Sequence, residues 1–411
     1  MQQITNFTPR TLEDYQDIAD NRCLQDIQSM SSLIKDAKIY EINSTATGGG
    51  VAELLHAQMP LYQSLGLDVS WLVLPPNENF FSITKNLHNC LQGKCAPPSE
   101  LEFDEYKNHL AMVVKDIPQD GDLYVLHDPQ TIGLAPLLKG KHLIWRCHID
   151  LTQADVDILA WVQSYYHYFE KVIFSMSEYA QGIEPAKAAI IAPSIDPLSE
   201  KNKPKSQTEI TKQLSKYHID PDQPYLLQVS RFDKFKDPKG VLEIFTRARK
   251  LLPTLNCVLA GDYAPDDPEG QPYYNEIHEL ARSIDTKSIK LLLNTNDEAI
   301  NTLQRAAAIV IQNSNKEGFG LTVTEALWKQ KIVFSRSVGG IALQVINDDT
   351  GFILDDDNQK SAQHIVEVIQ NQPKYANITK NAKELVRNKF ILPVMLADYL
   401  RVYAKVLRDN L

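Results

Sequence analysis

A chain of 411 residues with 43% apolar content and a formal net charge of −10 can bury two ordinary cores. That charge excludes a general nucleic-acid binder, which needs basic surface to displace counterions from phosphates, and no window approaches the apolar run of a membrane span. The mixed first 38 residues lack the unbroken apolar stretch of a signal peptide. The five cysteines, Cys23, Cys90, Cys95, Cys147 and Cys257, match no paired zinc spacing and read as reduced or buried thiols of a cytoplasmic protein.

Within the segment 3–37, expected to pack on the outside of the first domain, helical spacing is carried by 12–15 and 27–33, and 38–43 read as the first strand. The run Gly48, Gly49, Gly50 precedes an apolar-faced helix at 51–59, a place where backbone N–H groups can meet a phosphate or sugar. It does not follow the dinucleotide spacing Gly-x-Gly-x-x-Gly, and a plain tight turn explains it equally well. Residues 67–74 alternate into a second strand ended by Pro75 and Pro76. Strands at 123–126 and 143–147 each end in a histidine with an acid close behind, His127 with Asp128 and His148 with Asp150. Two imidazoles at strand ends beside a glycine loop point to a site rather than to packing.

Composition shifts between Pro193 and Pro224, so residues 1–195 are assigned to a first domain, 196–221 to a linker and 222–391 to a second domain. The final helix, within 392–411, is expected to cross back onto the first domain. The second domain restarts with a strand at 225–230 and a basic loop holding Arg231, Lys234, Lys236 and Lys239, a local positive patch suited to phosphate in an acidic chain. Strands alternating with helices follow, which implies an α/β protein with parallel sheets covered on both faces. Residues 309–328 then read as strand, polar glycine-bearing loop and helix start, with Glu317 in the loop and Glu325 in the helix. Both carboxylates can serve one ligand while Gly318 and Gly320 admit it to the backbone. The plainer alternative is a solvated Glu317 and a Glu325 that complements the helix dipole. The triplet Asp355, Asp356, Asp357 reads as a solvated turn, and no metal site is assigned.

The spacing Glu317-x7-Glu325, filled by Gly318, Phe319, Gly320 and Leu321, resembles that of retaining glycosyltransferases of the GT-B fold in glycosyltransferase family 4. More narrowly, residues 43–53, 80–85, 87–93, 127–130, 145–150 and 318–328 resemble trehalose glycosyltransferring synthases and the related retaining trehalose phosphorylases, over nearly the whole chain. The resemblance implies two Rossmann-like domains facing a central cleft, closing to exclude water. It implies a nucleoside-diphosphate glucose as donor, a small sugar as acceptor and no cofactor or metal.

On these positions the resemblance gives Arg231 and Lys236 the diphosphate and its developing charge. Glu325 would take both ribose hydroxyls, Glu317 with the backbone of Gly318, Phe319 and Gly320 the donor sugar, and Leu321 belongs to the same donor segment. Gly49 and Gly50 would admit acceptor and diphosphate, and His148 would sit beside the anomeric carbon. Asp150 would orient that imidazole or serve the acceptor, with Thr84, Lys85, His88 and Asn89 also on the acceptor side. Retention is implied to proceed by front-face transfer, the leaving phosphate taking the acceptor's proton, so Glu317 is not read as a nucleophile. The expected reaction is glucosyl transfer to glucose giving trehalose, its reversibility open. A phosphorylase, a transferase with another acceptor and a non-catalytic sugar-binding protein stay open beside it, as does homodimerisation.

Overall fold

The computed structural model describes residues 1–47, 50–93, 96–262 and 270–408. The chain forms two compact units, Met1–Ser194 with Leu392–Leu411, and Ile195–Ile391.

In the first unit the strands are β1 (Gln2–Ile4), β2 (Lys38–Asn43), β3 (Asp68–Val73), β4 (Leu123–His127), β5 (His142–Arg146), β6 (Lys171–Phe174) and β7 (Ala188–Ile190). Among the described residues they make one sheet of order β1-β3-β2-β4-β5-β6-β7. Every pairing is parallel except β1 on β3, which is antiparallel with Gln2 opposite Val73. Residues 2–4 lie outside the helical spacing read at 12–15 and 27–33, and their extended backbone closes the sheet's edge. All five residues of β4 are buried, as a parallel strand packed on both faces requires. The core below the helices gathers Trp145, Tyr124, Tyr106 and Phe80, each 2% exposed or less. Residues 80–89 lie inside the helix Glu78–Leu91, whose start is capped by the Asn77 side chain accepting from Phe80 N–H at 2.9 Å.

In the second unit the strands are β8 (Tyr225–Val229), β9 (Asn256–Ala260), β10 (Ile289–Leu292), β11 (Ile309–Gln312), β12 (Val333–Ser335) and β13 (Phe352–Ile353). They form an all-parallel sheet of order β10-β9-β8-β11-β12-β13. Residues 196–221 are no open linker. They hold the helix Gln207–Lys216, started by a reciprocal capping box between Ser206 and Glu209 and burying Ile210 and Leu214. Asp357 likewise caps the helix Asn358–Gln370, and Asp356 pairs with Arg336 at 3.1 Å, which accounts for two of the three clustered aspartates.

Each sheet has a point where its strand order reverses, between β2 and β4 in the first unit and between β8 and β11 in the second. Loops leaving neighbouring strands in opposite directions open a crevice there, and ligands of open α/β sheets bind at such places. In sequence the glycine run, the basic loop and the Glu317 loop follow β2, β8 and β11, and His127 ends β4.

Cys90 is disulfide-bonded, against the expectation of thiols throughout, while Cys23, Cys147 and Cys257 are free. Burial pushes the Cys23 thiol up to about 11 and Cys257 to about 12, so neither is poised as a thiolate nucleophile. Among the described residues no helix is long and apolar enough to cross a membrane.

Candidate active site

In the second unit the basic loop after β8 is held by its own side chains. Asp237 adopts a left-handed conformation (φ 45°) and caps the helix Pro238–Leu251, one oxygen accepting from Gly240 N–H at 3.0 Å. Its other oxygen accepts from Asn313 Nδ2 at 2.7 Å, and Asn313 Oδ1 accepts from Arg336 Nε at 3.0 Å. Gln228 Nε2, buried on β8, donates to the Lys236 carbonyl at 2.7 Å. The loops after β8, β11 and β12 are thereby tied together, and Lys236 Nζ comes 2.6 Å from Glu317 Oε2 with the two side chains only 14% and 13% exposed. Arg231 is different: its side chain is 63% exposed and pairs with Asp233 at 3.4 Å.

The Glu317 loop needs its glycines. Gly339 has φ 49°, and a Cβ there would stand 1.8 Å from the Glu317 carbonyl oxygen, so only glycine lets the two loops lie this close. Gly340 N–H donates to the Gly318 carbonyl at 3.0 Å, and Gly320 (φ 83°) turns the chain into the helix Leu321–Trp328. A Cβ on Gly318 would meet nothing within 4 Å.

Glu325, on the next turn of that helix, is 4% exposed. Gln304 Nε2 donates to its Oε2 at 3.2 Å, and Gln304 Oε1 accepts from Lys329 Nζ at 2.7 Å. Lys329 also donates to Asn202 Oδ1 at 2.7 Å and to the Glu325 carbonyl at 3.3 Å, so all three ammonium hydrogens have acceptors. Burial nevertheless drives the Lys329 amine well below the usual lysine range, with the Glu325 carboxylate opposing the shift.

In the first unit the two histidines meet because β4 and β5 are parallel neighbours, with His127 opposite Arg146. His127 Nδ1 lies 3.0 Å from His148 Nε2, and His127 Nε2 lies 2.8 Å from Glu41 Oε2. Glu41, 1% exposed on β2, also accepts from the Tyr403 hydroxyl on the helix Leu392–Arg408. Asp128, left-handed at φ 59°, accepts from His148 N–H at 2.7 Å. Arg146 is fully buried, donating to Ser175 Oγ at 3.2 Å and the Ile191 carbonyl at 3.0 Å. Burial, reinforced by the Arg146 guanidinium, holds the His148 imidazole well below its ordinary value, so it is neutral at pH 7. Burial raises the Asp128 carboxyl, with the His148 N–H opposing.

Of the expected residues, Lys236, Glu317, Gly318, Phe319, Gly320, Leu321 and Glu325 share the carboxyl edge of the second sheet, and Arg231 lies on the same basic loop. Gly50 opens the helix Gly50–Ser64, exposed and with no neighbour to a Cβ within 4 Å, while Gly49 lies outside the described residues. The acceptor-side set is less uniform. Thr84 is buried with its hydroxyl on the Phe81 carbonyl, Lys85 is exposed, and His88 and Asn89 are half-buried on the helix Glu78–Leu91. Asp150 does not orient His148: its Oδ1 accepts from the Thr152 N–H at 2.9 Å and hydroxyl at 2.6 Å, and His127 holds the imidazole instead.

Glu41, Tyr403, Gln304 and Lys329 were not legible as site residues. Glu41 alone carried a signal, an acid inside a strand buried on both faces, which must find a partner.

Two parallel-sheet Rossmann-like units, with a lysine–carboxylate pair and a second glutamate at one switch point, match the arrangement expected of a glycosyltransferase of GT-B architecture. Residues 41–181 match the family described as trehalose synthase, N-terminal domain, and residues 209–385 match glycosyl transferases group 1. A trehalose synthase of Thermococcus litoralis is 37% identical over 414 residues, covering 97% of this chain and 98% of its own. One from Rubrobacter xylanophilus is 34% identical, covering 99% and 100%. A trehalose phosphorylase of Grifola frondosa is 27% identical over 86% of this chain and 55% of its own length. Among solved structures, a UDP-forming α,α-trehalose-phosphate synthase from Burkholderia xenovorans superposes with a TM-score of 0.71 at 12% identity, covering 91% of this chain and 99% of that one. The Anabaena HepE protein in complex with UDP and glucose gives 0.68 at 17%, covering 90% and 100%. The chain belongs to the trehalose synthase family of glycosyltransferases.

Proposed function

We propose that this protein is a retaining glucosyltransferase that moves glucose from a nucleoside-diphosphate glucose to free glucose and releases trehalose, without a metal cofactor. The observation that carries the reading is the Lys236–Glu317 pair at the second sheet's switch point, with Glu325 in the helix that follows. A neutral sugar needs hydroxyl acceptors but no lysine, whereas a diphosphate needs a cation beside them. Lys236 and Arg231 stabilise the charge that builds on the leaving diphosphate. Glu317 and the backbone of Gly318 to Gly320 take hydroxyls of the donor sugar, and Glu325 the ribose. In the first unit a neutral His148 offers a hydrogen bond to a sugar hydroxyl. Near-full-length similarity to proteins named trehalose synthase supports glucose as the acceptor.

The phosphorylase reading is the second, favoured by similarity to the Grifola protein over 86% of this chain. Purified protein is offered UDP-, ADP- and GDP-glucose with and without glucose, while diphosphate release and the disaccharide are followed by NMR. Glucose-dependent release with an α,α-linked product supports the transferase and names the base. Phosphate-dependent cleavage of trehalose with no use of any nucleotide sugar overturns it in favour of the phosphorylase.

A further inference from the structure

Tyr403, Glu41, His127 and His148 form a continuous hydrogen-bonded row from the helix Leu392–Arg408 to the end of β5, and the chemistry of each member fixes the polarity of the next. A buried phenol beside a carboxylate keeps its proton, so Tyr403 donates to Glu41 Oε1. An ionised carboxylate only accepts, so the 2.8 Å contact from Glu41 Oε2 requires N–H at His127 Nε2. A neutral imidazole has one N–H, which leaves His127 Nδ1 as an acceptor. His148 Nε2, 3.0 Å away, must then donate. A doubly protonated His127 would reverse this last bond, but it would place a second cation beside the buried guanidinium of Arg146, its partner in register across β4 and β5.

We propose that Tyr403, Glu41 and His127 are positioning residues that hold His148 as the Nε2–H tautomer, presenting its Nδ1 lone pair to a hydroxyl of a bound sugar. Nδ1 takes no other hydrogen bond among the described residues, and His148 is partly exposed while His127 and Glu41 are not. The C-terminal helix thus contributes to the site through Tyr403, which lies 255 residues beyond His148 in sequence. The role in sugar binding rests on the glucosyltransferase reading above; the tautomer does not.

The test is 15N NMR of ligand-free protein labelled at histidine, at pH 7, with the His148 signals assigned by their loss in His148→Asn. The expected spectrum is a neutral ring protonated at Nε2; an imidazolium or an Nδ1-protonated ring overturns the proposal. Tyr403→Phe and Glu41→Gln are then expected to shift the His148 nitrogen signals towards a tautomer mixture. They should also lower kcat at least about tenfold, the scale on which loss of an orienting partner depresses turnover, with less change in donor KM. Wild-type signals and wild-type kcat in both variants overturn it. If either variant fails to fold, the wild-type spectrum decides. An Nε2–H ring in a protein that turns over no nucleotide sugar leaves the relay standing and removes only the functional reading.

Discussion

Lys236 Nζ and Glu317 Oε2 lie 2.6 Å apart in a place from which most water is excluded. Truncating either partner leaves a poorly solvated charge behind, a loss of about 3–5 kcal/mol for buried pairs and somewhat less at this exposure. Lys236→Ala is therefore expected to cost both stability and chemistry. Thermal unfolding should shift down by several degrees and kcat should fall on the order of 10²-fold, the scale seen when one electrostatic group at a developing charge is removed. Arg231→Ala separates the two effects. An exposed pair such as Arg231 with Asp233 contributes about 0–1 kcal/mol, so the melting temperature should hold while turnover drops. Unchanged kcat in both variants would remove these residues from the diphosphate site.

Gly318 in the Glu317 loop and Gly339 in the loop packed against it give a matched contrast. Gly339→Ala forces a Cβ to within 1.8 Å of the Glu317 carbonyl at φ 49°, so backbone must move and the protein should be strongly destabilised or fail to fold. Gly318→Ala adds a methyl into open space, and its melting temperature should match wild type. If a donor sugar occupies that space, the donor KM of Gly318→Ala rises; a KM equal to wild type would place the sugar elsewhere.

Much of this was legible in the sequence because it follows from local pattern. Apolar runs such as 123–126, 225–229 and 309–311 gave the parallel strands, and His127, Lys236 and Glu317, at or beyond the ends of those strands, lie at sheet switch points once the strand order is known. What escaped depends on contacts across long separations. Nothing local marks Tyr403 as the partner of Glu41, 362 residues away, or Asn202 as the acceptor for Lys329, 127 residues away. The short β1 escaped because three residues carry no usable period, and the helix Gln207–Lys216 because the charged, proline-bearing stretch before it dominates the composition. Of the two roles expected of Asp150, orienting the imidazole is not realised for a related reason: sequence proximity suggested a contact, but Asp150 Oδ1 folds back on Thr152.

The Glu325 network predicts a split between affinity and stability. Glu325→Ala should mainly raise donor KM, since the ribose loses its acceptor. Lys329→Ala touches no expected ligand, yet it strands the side-chain oxygens of Asn202 and Gln304, two buried acceptors at about 1–3 kcal/mol each. At about 2–4 °C per kcal/mol for a unit of this size, the melting temperature should fall by roughly 5–20 °C. Calorimetry on the two variants checks this, and a stable Lys329→Ala protein would show that the network is not structural.

The pH dependence of stability follows from His148. Its imidazole is held below the ordinary value of about 6.5 in the folded state, so on acidification the unfolded chain takes up a proton first. The unfolded state then binds more protons than the native one, and stability rises with pH in that range. The contribution is accordingly complete above about 6.5 and is lost as pH falls below it towards the folded value. Asp128, whose carboxyl is raised by burial, acts in the opposite direction, adding stability as pH falls through its folded value towards about 3.8. The comparison that isolates His148 is the denaturant stability of wild type minus that of His148→Asn, measured from pH 8 down to pH 5. That difference should be level above about pH 7 and should decline steadily below about 6.5, whereas a difference that grows on acidification would mean the folded protein carries His148 as a cation.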